Sequence, residues 1–333
     1  MEHRTSLDPA VAAVRLAVRK ALSPLAVGGG VVAVALSGGP DSLALAAAAA
    51  FEAPKLGLSV VSITVDHGLQ PGSDAVAQAA ARQATGLGIR PIVVRVEVGE
   101  DGGPEAAARA ARYRALTDAA SELGAMVILL GHTLDDQAET VLLGLARGSG
   151  STSLQGMAPA SALHGMTLLR PLLAVRRATT RAACLAEGLD AWDDPHNSDP
   201  RFARVRVRET VLPVLEAELG PGIAEALVRT AEQLREDAEA FDDMIEETIE
   251  DIVEHAEAGI SVSVAALAAN PAALRNRIIR HVVASEFGES LTRAQTLGVA
   301  RLVTDWSGQG PLDLPGCSAR RVGGRIEFTA RTP

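Results

Sequence analysis

From residue 31 onward, short β-branched apolar runs alternate with longer segments whose apolar positions recur at helical spacing. Residues 31–36, LSVVSITVDHGL (58–69), RPIVVRVEV (90–98) and AMVILLGH (125–132) read as strands. Residues 41–52, SDAVAQAAARQATGLG (73–88), GPEAAARAARYRALTDAASELG (103–124) and LDDQAETVLLGLARG (134–148) read as helices, the third with Pro near its start and Gly at its end. Strands apolar along their whole length, each followed by a helix, predict an α/β fold: a parallel sheet with helices on both faces. In such sheets ligands gather outside the carboxyl ends of the strands. Three polar groups fall there: Ser37–Ser42, Asp66–His67 and His132–Glu139.

The pattern changes after about residue 148. GSGSTSLQGMAPASALHG (148–165) reads as a loop of small residues, MTLLRPLLAV (166–175) as one more strand or edge, and RRATTRAACLAEGL (176–189) as a helix. Residues 216–257 carry fifteen Asp and Glu against Arg229 and Arg235, the pattern of an acidic, solvated helix joining two domains. Beyond it lie a helix in NPAALRNRIIRHVVASEFG (270–288) and short runs broken by Pro315-Gly316 and Gly323-Gly324, which predict small β-hairpins. The expected division is a catalytic domain over 1–215, a helical linker over 216–260 and a small α+β domain over 261–333.

Composition narrows the function classes. Of 31 basic residues only Lys20 and Lys55 are lysines, and net charge is −10, which argues against a wholesale nucleic-acid coat but leaves room for a local basic patch. Cys184 and Cys317 are far apart, so the paired-cysteine zinc and redox frameworks are excluded and a reducing cytoplasm is the expected compartment. The N-terminal 25 residues mix charge into an apolar pattern and read as an amphipathic helix, not a signal peptide. No uncharged apolar run reaches the roughly 18 residues of a membrane span, so no membrane partner is expected.

LSGGPDS (36–42) joins the first strand to its helix. A Walker loop needs G-x-x-x-x-G-K and then Ser or Thr, and a dinucleotide fold needs G-x-G-x-x-G; neither is present. What remains is a tight Ser-Gly-Gly turn at a helix N-terminus, where backbone N–H groups and the helix dipole hold an anion. Ser37 and Ser42 add hydroxyl donors. Asp41 beside a phosphate makes sense with Mg²⁺ between them, or else serves only the first turn of the helix. Glu139 stands three positions after Asp136 and shares its helical face.

SGGPDS resembles the S-G-G-x-D-S loop of the N-type ATP pyrophosphatases of the PP-loop superfamily. VDHGLQPGSD (65–74), EAAARAARYRAL (105–116), GHTLDDQAETVLLGLARGSG (131–150), RPLL (170–173) and DDPHNSDPRFARVRVRETVLPVLE (193–216) narrow the likeness to the tRNA(Ile)-lysidine synthetases, in their short form with one small terminal domain. The resemblance spans roughly residues 30–240. It implies an adenine nucleotide α-hydrolase-like sheet and a ligase that joins free L-lysine to C2 of the wobble cytidine of tRNA(Ile) with a CAU anticodon, spending ATP to AMP and pyrophosphate.

By matched motif the resemblance implies that Ser37, Gly38, Gly39, Pro40, Asp41 and Ser42 bind ATP, with Asp66 and His67 near adenine and ribose. Asp41 and Asp136 are the expected Mg²⁺ carboxylates, Asp135 being the substitute for Asp136. Arg112 and His132 are expected at the reacting phosphate and base, and Glu139 orients a ligand or receives the lysine ammonium. Arg201, Arg204, Arg206 and Arg208 are the expected tRNA contacts; the last three share a face only if the segment is extended. Arg275, Arg277, Arg280, Arg320, Arg321 and Arg325 are further candidates for the acceptor arm. The family often carries Arg-Asn before Leu-Pro where this chain reads RVRVRETVLP (204–213), so no asparagine contact is implied. A homodimer is left open. The competing readings are a tRNA thiolase, for which two isolated cysteines are a poor basis, and a nucleotide-sensing module that cleaves nothing.

Overall fold

The computed structural model describes residues 7–68, 72–96, 104–148, 150–256 and 259–331, the side chains of 104–106 and 256 excepted. The expectations for residues 1–6, 69–71, 97–98, 103 and 149 lie outside them. Chain contacts divide it into two compact units, Met1–Leu234 and Arg235–Pro333.

The first unit opens with α1 (Pro9–Leu22), capped by the Asp8 carboxylate on Ala10 N–H at 2.8 Å. There follow β1 (Gly30–Ala35), α2 (Pro40–Glu52), β2 (Leu58–Asp66), α3 (Ser73–Gly86), β3 (Arg90–Arg95), α4 (Pro104–Glu122), β4 (Ala125–Leu129) and α5 (Leu134–Ala146). Then come α6 (Ser151–Leu154), β5 (Ala160–Leu163), β6 (Met166–Leu169), α7 (Arg177–Ala186), α8 (Ala203–Arg206) and α9 (Leu212–Leu219). The sheet order is β3-β2-β1-β4-β6-β5. All neighbours are parallel except β5 and β6.

Strands β1, β2 and β4 feed their two faces into two cores. Val32 and Val34 point to the side covered by α1, α2, α3 and α7; Ala33 points to the side covered by α4, with Tyr113, Leu116 and Ala120. The alanines of α2 are almost all buried, because a helix with so small a surface can lie close against β1.

One local feature departs from the sequence reading and another decides what it left open. The stretch 148–165, expected as loop, contains α6 and β5; β5 turns back on β6 through His164 (φ +48°) and Gly165 (φ +76°). Two left-handed residues in a row make the tight turn whose twist suits a hairpin, so the sheet ends in an antiparallel edge strand. The basic stretch, whose last three arginines would share a face only if extended, is helical: between α8 and α9, Val207–Val211 forms a π-turn. Pro213 explains the widening, since a prolyl ring collides with the carbonyl four residues back in a regular helix.

The first unit ends within α10 (Ile223–Ile252). The second unit holds the remainder of α10, β7 (Val253–Ala256), β8 (Gly259–Ser263), α11 (Val264–Ala269), α12 (Ala272–Phe287), α13 (Arg293–Thr304), β9 (Leu312–Asp313), β10 (Cys317–Val322) and β11 (Arg325–Ala330). Its antiparallel sheet runs β7-β8-β11-β10-β9 around a core that includes Phe328, Leu267 and Ile278. The expected hairpins are β9–β10 and β10–β11. Among the described residues no helix is long and apolar enough to cross a membrane.

Candidate active site

In the first unit the chain leaves β1 to one side of the sheet and β4 to the other, so the crevice at their carboxyl ends is where such a fold accepts a ligand. A cleft of about 930 Å³ opens there. Its walls include the loop after β1, Asp66 and His67 after β2, Arg112 of α4, and Gly131, His132 and Asp136 after β4. Three of the polar groups read from the sequence therefore meet in space.

The loop after β1 is held by its own serines. Ser42 Oγ donates to Gly39 O (2.9 Å) and accepts from Ser37 N–H (3.2 Å), while the two serine hydroxyls lie 3.1 Å apart. Gly38 has φ +85°, a left-handed conformation that glycine adopts freely. Its carbonyl accepts from Trp192 N–H at 3.0 Å, and Cys184 Sγ donates to Pro40 O at 3.1 Å. Pro40 occupies the first turn of α2, where no N–H is needed. Asp41 lies in that first turn, at a helix N-terminus whose dipole favours an anion. Gly131 passes so close that a Cβ there would sit 3.2 Å from the Asp41 backbone.

Asp41 and Asp136 both line the cleft, and Arg177 stands between them. Arg177 Nε lies 3.7 Å from Asp41 Oδ2, and its Nη2 donates to Asp136 Oδ1 at 2.8 Å. Thr180, one turn on in α7, donates to Asp41 Oδ1. Burial nevertheless dominates at Asp41 and pushes its carboxyl up from 3.8 to about 6, against the pull of Thr180 and Arg177. At Asp136 burial also pushes up, but Arg177 and two bonds from Thr133 outweigh it and hold the carboxyl below its ordinary value. Thr133 N–H and Oγ1 both donate to Asp136 Oδ2 at 2.8 Å, a capping box at the start of α5.

The structure separates the two adjacent aspartates. Asp135 accepts from Arg177 N–H at 2.7 Å and pairs with Arg176 at 3.3 Å, fastening the start of α7 to α5. Asp136 faces the cleft and Asp135 does not. Glu139 is fully buried and is not part of the cleft wall. Its Oε1 accepts from Arg208 Nε (2.7 Å) and Arg177 Nη1 (3.2 Å), its Oε2 from Arg208 Nη2 (3.1 Å), and Arg204 Nε stands 3.8 Å away. Both oxygens accept from guanidinium groups, so of the two roles expected for Glu139, orienting a ligand or receiving the lysine ammonium, neither oxygen is left without an arginine partner here.

His132 is held neutral: burial, only partly opposed by Asp136, lowers its pKa to about 4, and its Nδ1 has no hydrogen-bond partner among the described residues. Burial and Arg112 lower His67 as well. Asp66 is kept ionised by Ser73 and by Gly68 N–H at 3.0 Å. The Arg112 guanidinium lies against the Tyr113 ring, 5.4 Å from its centroid, and burial lowers its pKa.

The four arginines expected at tRNA do not form one patch. Arg204 and Arg208, a turn apart, face Glu139. Arg206 points away and donates to Pro200 O and Arg201 O at 2.8 Å each; Arg201 pairs with Asp199 at 2.6 Å and is largely exposed. In the second unit most of the candidate arginines are engaged internally: Arg277 beside Asp242 and over Phe241, Arg320 with Glu327, Arg321 over Trp306, and Arg325 with Glu254 and Ser261. Arg275 reaches Asn270 O at 3.4 Å, and burial lowers the Arg280 guanidinium. Sequence reasoning missed Arg177, Thr180 and Arg181 of α7. Among the described residues no group of three or more His, Cys, Asp or Glu is gathered for a metal ion.

Comparison with known proteins identifies the family. Residues 13–215 match a family model described as a PP-loop domain, and residues 263–327 match the TilS substrate binding domain. A tRNA(Ile)-lysidine synthase of Leifsonia xyli subsp. xyli is 60% identical over 306 residues, covering 91% of each chain. Those of Salinispora tropica and Streptomyces coelicolor are 52% and 48% identical, covering 93% of both chains in the first case and 96% and 97% in the second. Among solved structures, the U34-tRNA thiolase NcsA of Methanococcus maripaludis, with its 4Fe-4S cluster, shares the fold: TM-score 0.58, 22% identity, 68% of this chain and 80% of that one. With the PP-loop match over most of the first unit and close relatives aligned nearly end to end, the chain belongs to the tRNA(Ile)-lysidine synthase family.

Proposed function

We propose that the chain ligates L-lysine to the wobble cytidine of a CAU-anticodon tRNA(Ile) in the cytoplasm, with ATP as the activating substrate. The supporting observation is the convergence of the Ser-Gly-Gly loop, Asp41, Asp136, His132 and Arg112 on one cleft. The C2 oxygen of cytidine attacks the α-phosphorus, the bond from that phosphorus to the bridging oxygen breaks, and pyrophosphate leaves. Lysine Nε then attacks C2, the C2–O bond breaks, AMP carries the oxygen away, and the amine gives up its proton.

Each residue has a role suited to its surroundings. Ser37, Gly38, Gly39 and Ser42 hold the pyrophosphate end by backbone N–H and hydroxyl donors, where charge builds as the bond breaks, and Pro40, which has no N–H, shapes the turn beside them. Asp66 and His67 lie toward the adenosine end. Arg112 stabilises charge on the phosphoryl oxygens. His132, neutral at pH 7, hydrogen-bonds the reacting base; with a pKa of about 4 it is too weak a base to take the lysine proton. Asp41 and Asp136 fit Mg²⁺, because that ion is held by one or two carboxylates together with substrate phosphates and needs no all-protein cage. Mg²⁺ would supply charge neutralisation at the phosphates. Arg201, exposed in the turn before α8, and Arg206, exposed at the end of α8, are the RNA contacts, and 261–333 is the accessory domain of the tRNA complex, joined through 216–260.

The test is incubation with Mg-ATP, labelled lysine and a tRNA(Ile) transcript bearing CAU. Lysine-dependent AMP release with a lysine-sized mass gain on the wobble nucleotide is expected. Folded protein that binds ATP but releases neither AMP nor pyrophosphate with all substrates present sinks the ligase reading and leaves a nucleotide-binding module.

A further inference from the structure

The stretch 201–208 reads in sequence as one RNA-binding patch, yet the structure divides it. Arg201 and Arg206 face solvent. Arg208 is about one-fifth exposed, lines the nucleotide cleft, and brings Nη2 within 3.8 Å of Asp136 Oδ1. One edge of its guanidinium is gripped by a carboxylate that reaches no solvent: Nε and Nη2 both bond to Glu139. The remaining nitrogen, Nη1, makes no hydrogen bond among the described residues. A planar group fixed along one edge presents the other in a defined direction, which suits an oxyanion. The π-turn carries Arg208, and such turns recur where a helix serves a functional site.

We propose that Arg208 is a catalytic residue of the nucleotide cleft, binding a phosphate oxyanion of ATP through its free edge, and that buried Glu139 is the positioning residue that aims it. This rests on the reading of the cleft as the ATP site. Arg177, the second cleft guanidinium on Glu139, engages both terminal nitrogens with Asp136 and Glu139, whereas among the described residues Arg208 engages Nε and Nη2 and leaves the terminal nitrogen Nη1 unbonded. Phosphate oxyanions also come from the RNA backbone, and the experiment separates the two sources.

Binding of Mg²⁺-α,β-methylene-ATP and of tRNA is titrated for wild type, Arg208→Ala, Arg208→Lys, Glu139→Gln and Arg206→Ala, with tRNA affinity followed against salt. Arg208→Ala is expected to weaken the analogue about tenfold and to cut AMP formation at saturating nucleotide about 100-fold, the range for removing one oriented donor. The salt slope of tRNA binding stays at the wild-type value. Arg208→Lys recovers little, since an ammonium cannot bridge Glu139 and present a second edge. Glu139→Gln moves the same two nucleotide readouts in the same direction, by less. Arg206→Ala lowers the salt slope by about one and spares analogue affinity. The proposal is overturned if Arg208→Ala lowers the tRNA slope by about one with analogue affinity intact, or if it lowers thermal stability alone. Analogue titration needs no RNA, so it decides the Arg208 assignment even for a protein that never modifies tRNA.

Discussion

Asp41→Asn is predicted to make the metal-free protein more stable at pH 8 and not at pH 4. In the folded chain the Asp41 carboxyl titrates at about 6 against an ordinary 3.8, because burial outweighs help from Thr180 and Arg177. Below pH 4 the group is protonated folded or unfolded and contributes nothing. Between about pH 4 and pH 6 the folded form binds more protons than the unfolded, so stability falls as pH rises; above 6 the whole penalty is present. A shift of about 2 units at roughly 1.4 kcal/mol each sets it near 3 kcal/mol. That figure already nets the pull of Thr180 and Arg177; with solvent screening of the partly exposed carboxyl, asparagine gains about 1–2 kcal/mol, or about 4–8 °C in Tm for the upper figure. The assay is thermal and urea unfolding of both proteins from pH 4 to pH 8 in EDTA, repeated with Mg-ATP. With Mg-ATP the order reverses, since only wild type gains the carboxylate-linked share of binding energy. A variant less stable than wild type at pH 8 in EDTA, or a difference flat across the pH range, refutes the burial argument.

Three further outcomes are expected. Arg177→Met leaves Asp41, Asp136 and Glu139 without the cation they share; unfolding free energy drops by about 3 kcal/mol in urea, and an unchanged midpoint refutes the bridging role. Gly131→Ala pushes a methyl group against the Asp41 backbone, displaces the pyrophosphate loop and raises KM for ATP about tenfold with little change in Tm; equal KM values show that the loop yields. Cys184 and Cys317 are buried, and burial raises the Cys184 thiol to about 11, so about one Cys184 in a thousand is ionised at pH 8. Native protein should therefore resist iodoacetamide at pH 8, while unfolded protein labels at both thiols.

Strands β1 to β4 and their helices were legible because each apolar run is bounded by polar strand-end residues, and the first of those ends holds a motif whose glycines have one conformational use. The antiparallel edge was hidden in ASALHGMTLL, whose turn signal is a His-Gly pair instead of Asn-Gly. Helix α13 carried its own signature, Thr292 and Gln295 in a capping box, but the flanking glycines drew attention to the hairpins. The basic stretch was compatible with strand and helix alike. Alternating Arg and Val from 204 to 208 has the period of a strand, yet the segment packs Val205 and Val207 as helix against neighbouring helices, and tertiary burial overrides local pattern.

Arg177 is the hardest case, since nothing in RRATTRA distinguishes a cleft cation from a solvated helical arginine. Its importance comes from three elements distant in sequence: Asp41 on α2, Asp136 and Glu139 on α5, and the arginine itself on α7. One trace is present nonetheless. Thr180 and Cys184, three and seven positions on, are buried and face α2, so Arg177 lies on the apolar stripe of its helix where a charge needs a reason. A cation on a buried stripe implies buried anions opposite it, and the carboxylates that the loop after β1 and the DDQAE turn supply are the ones available at the same sheet edge. Burial of charge is thus the link between the legible half of the site and the half that required the fold: Asp41 and Asp136 lie where α7 brings Arg177 to meet both and Thr180 to meet Asp41, which offsets part of the cost of burying them.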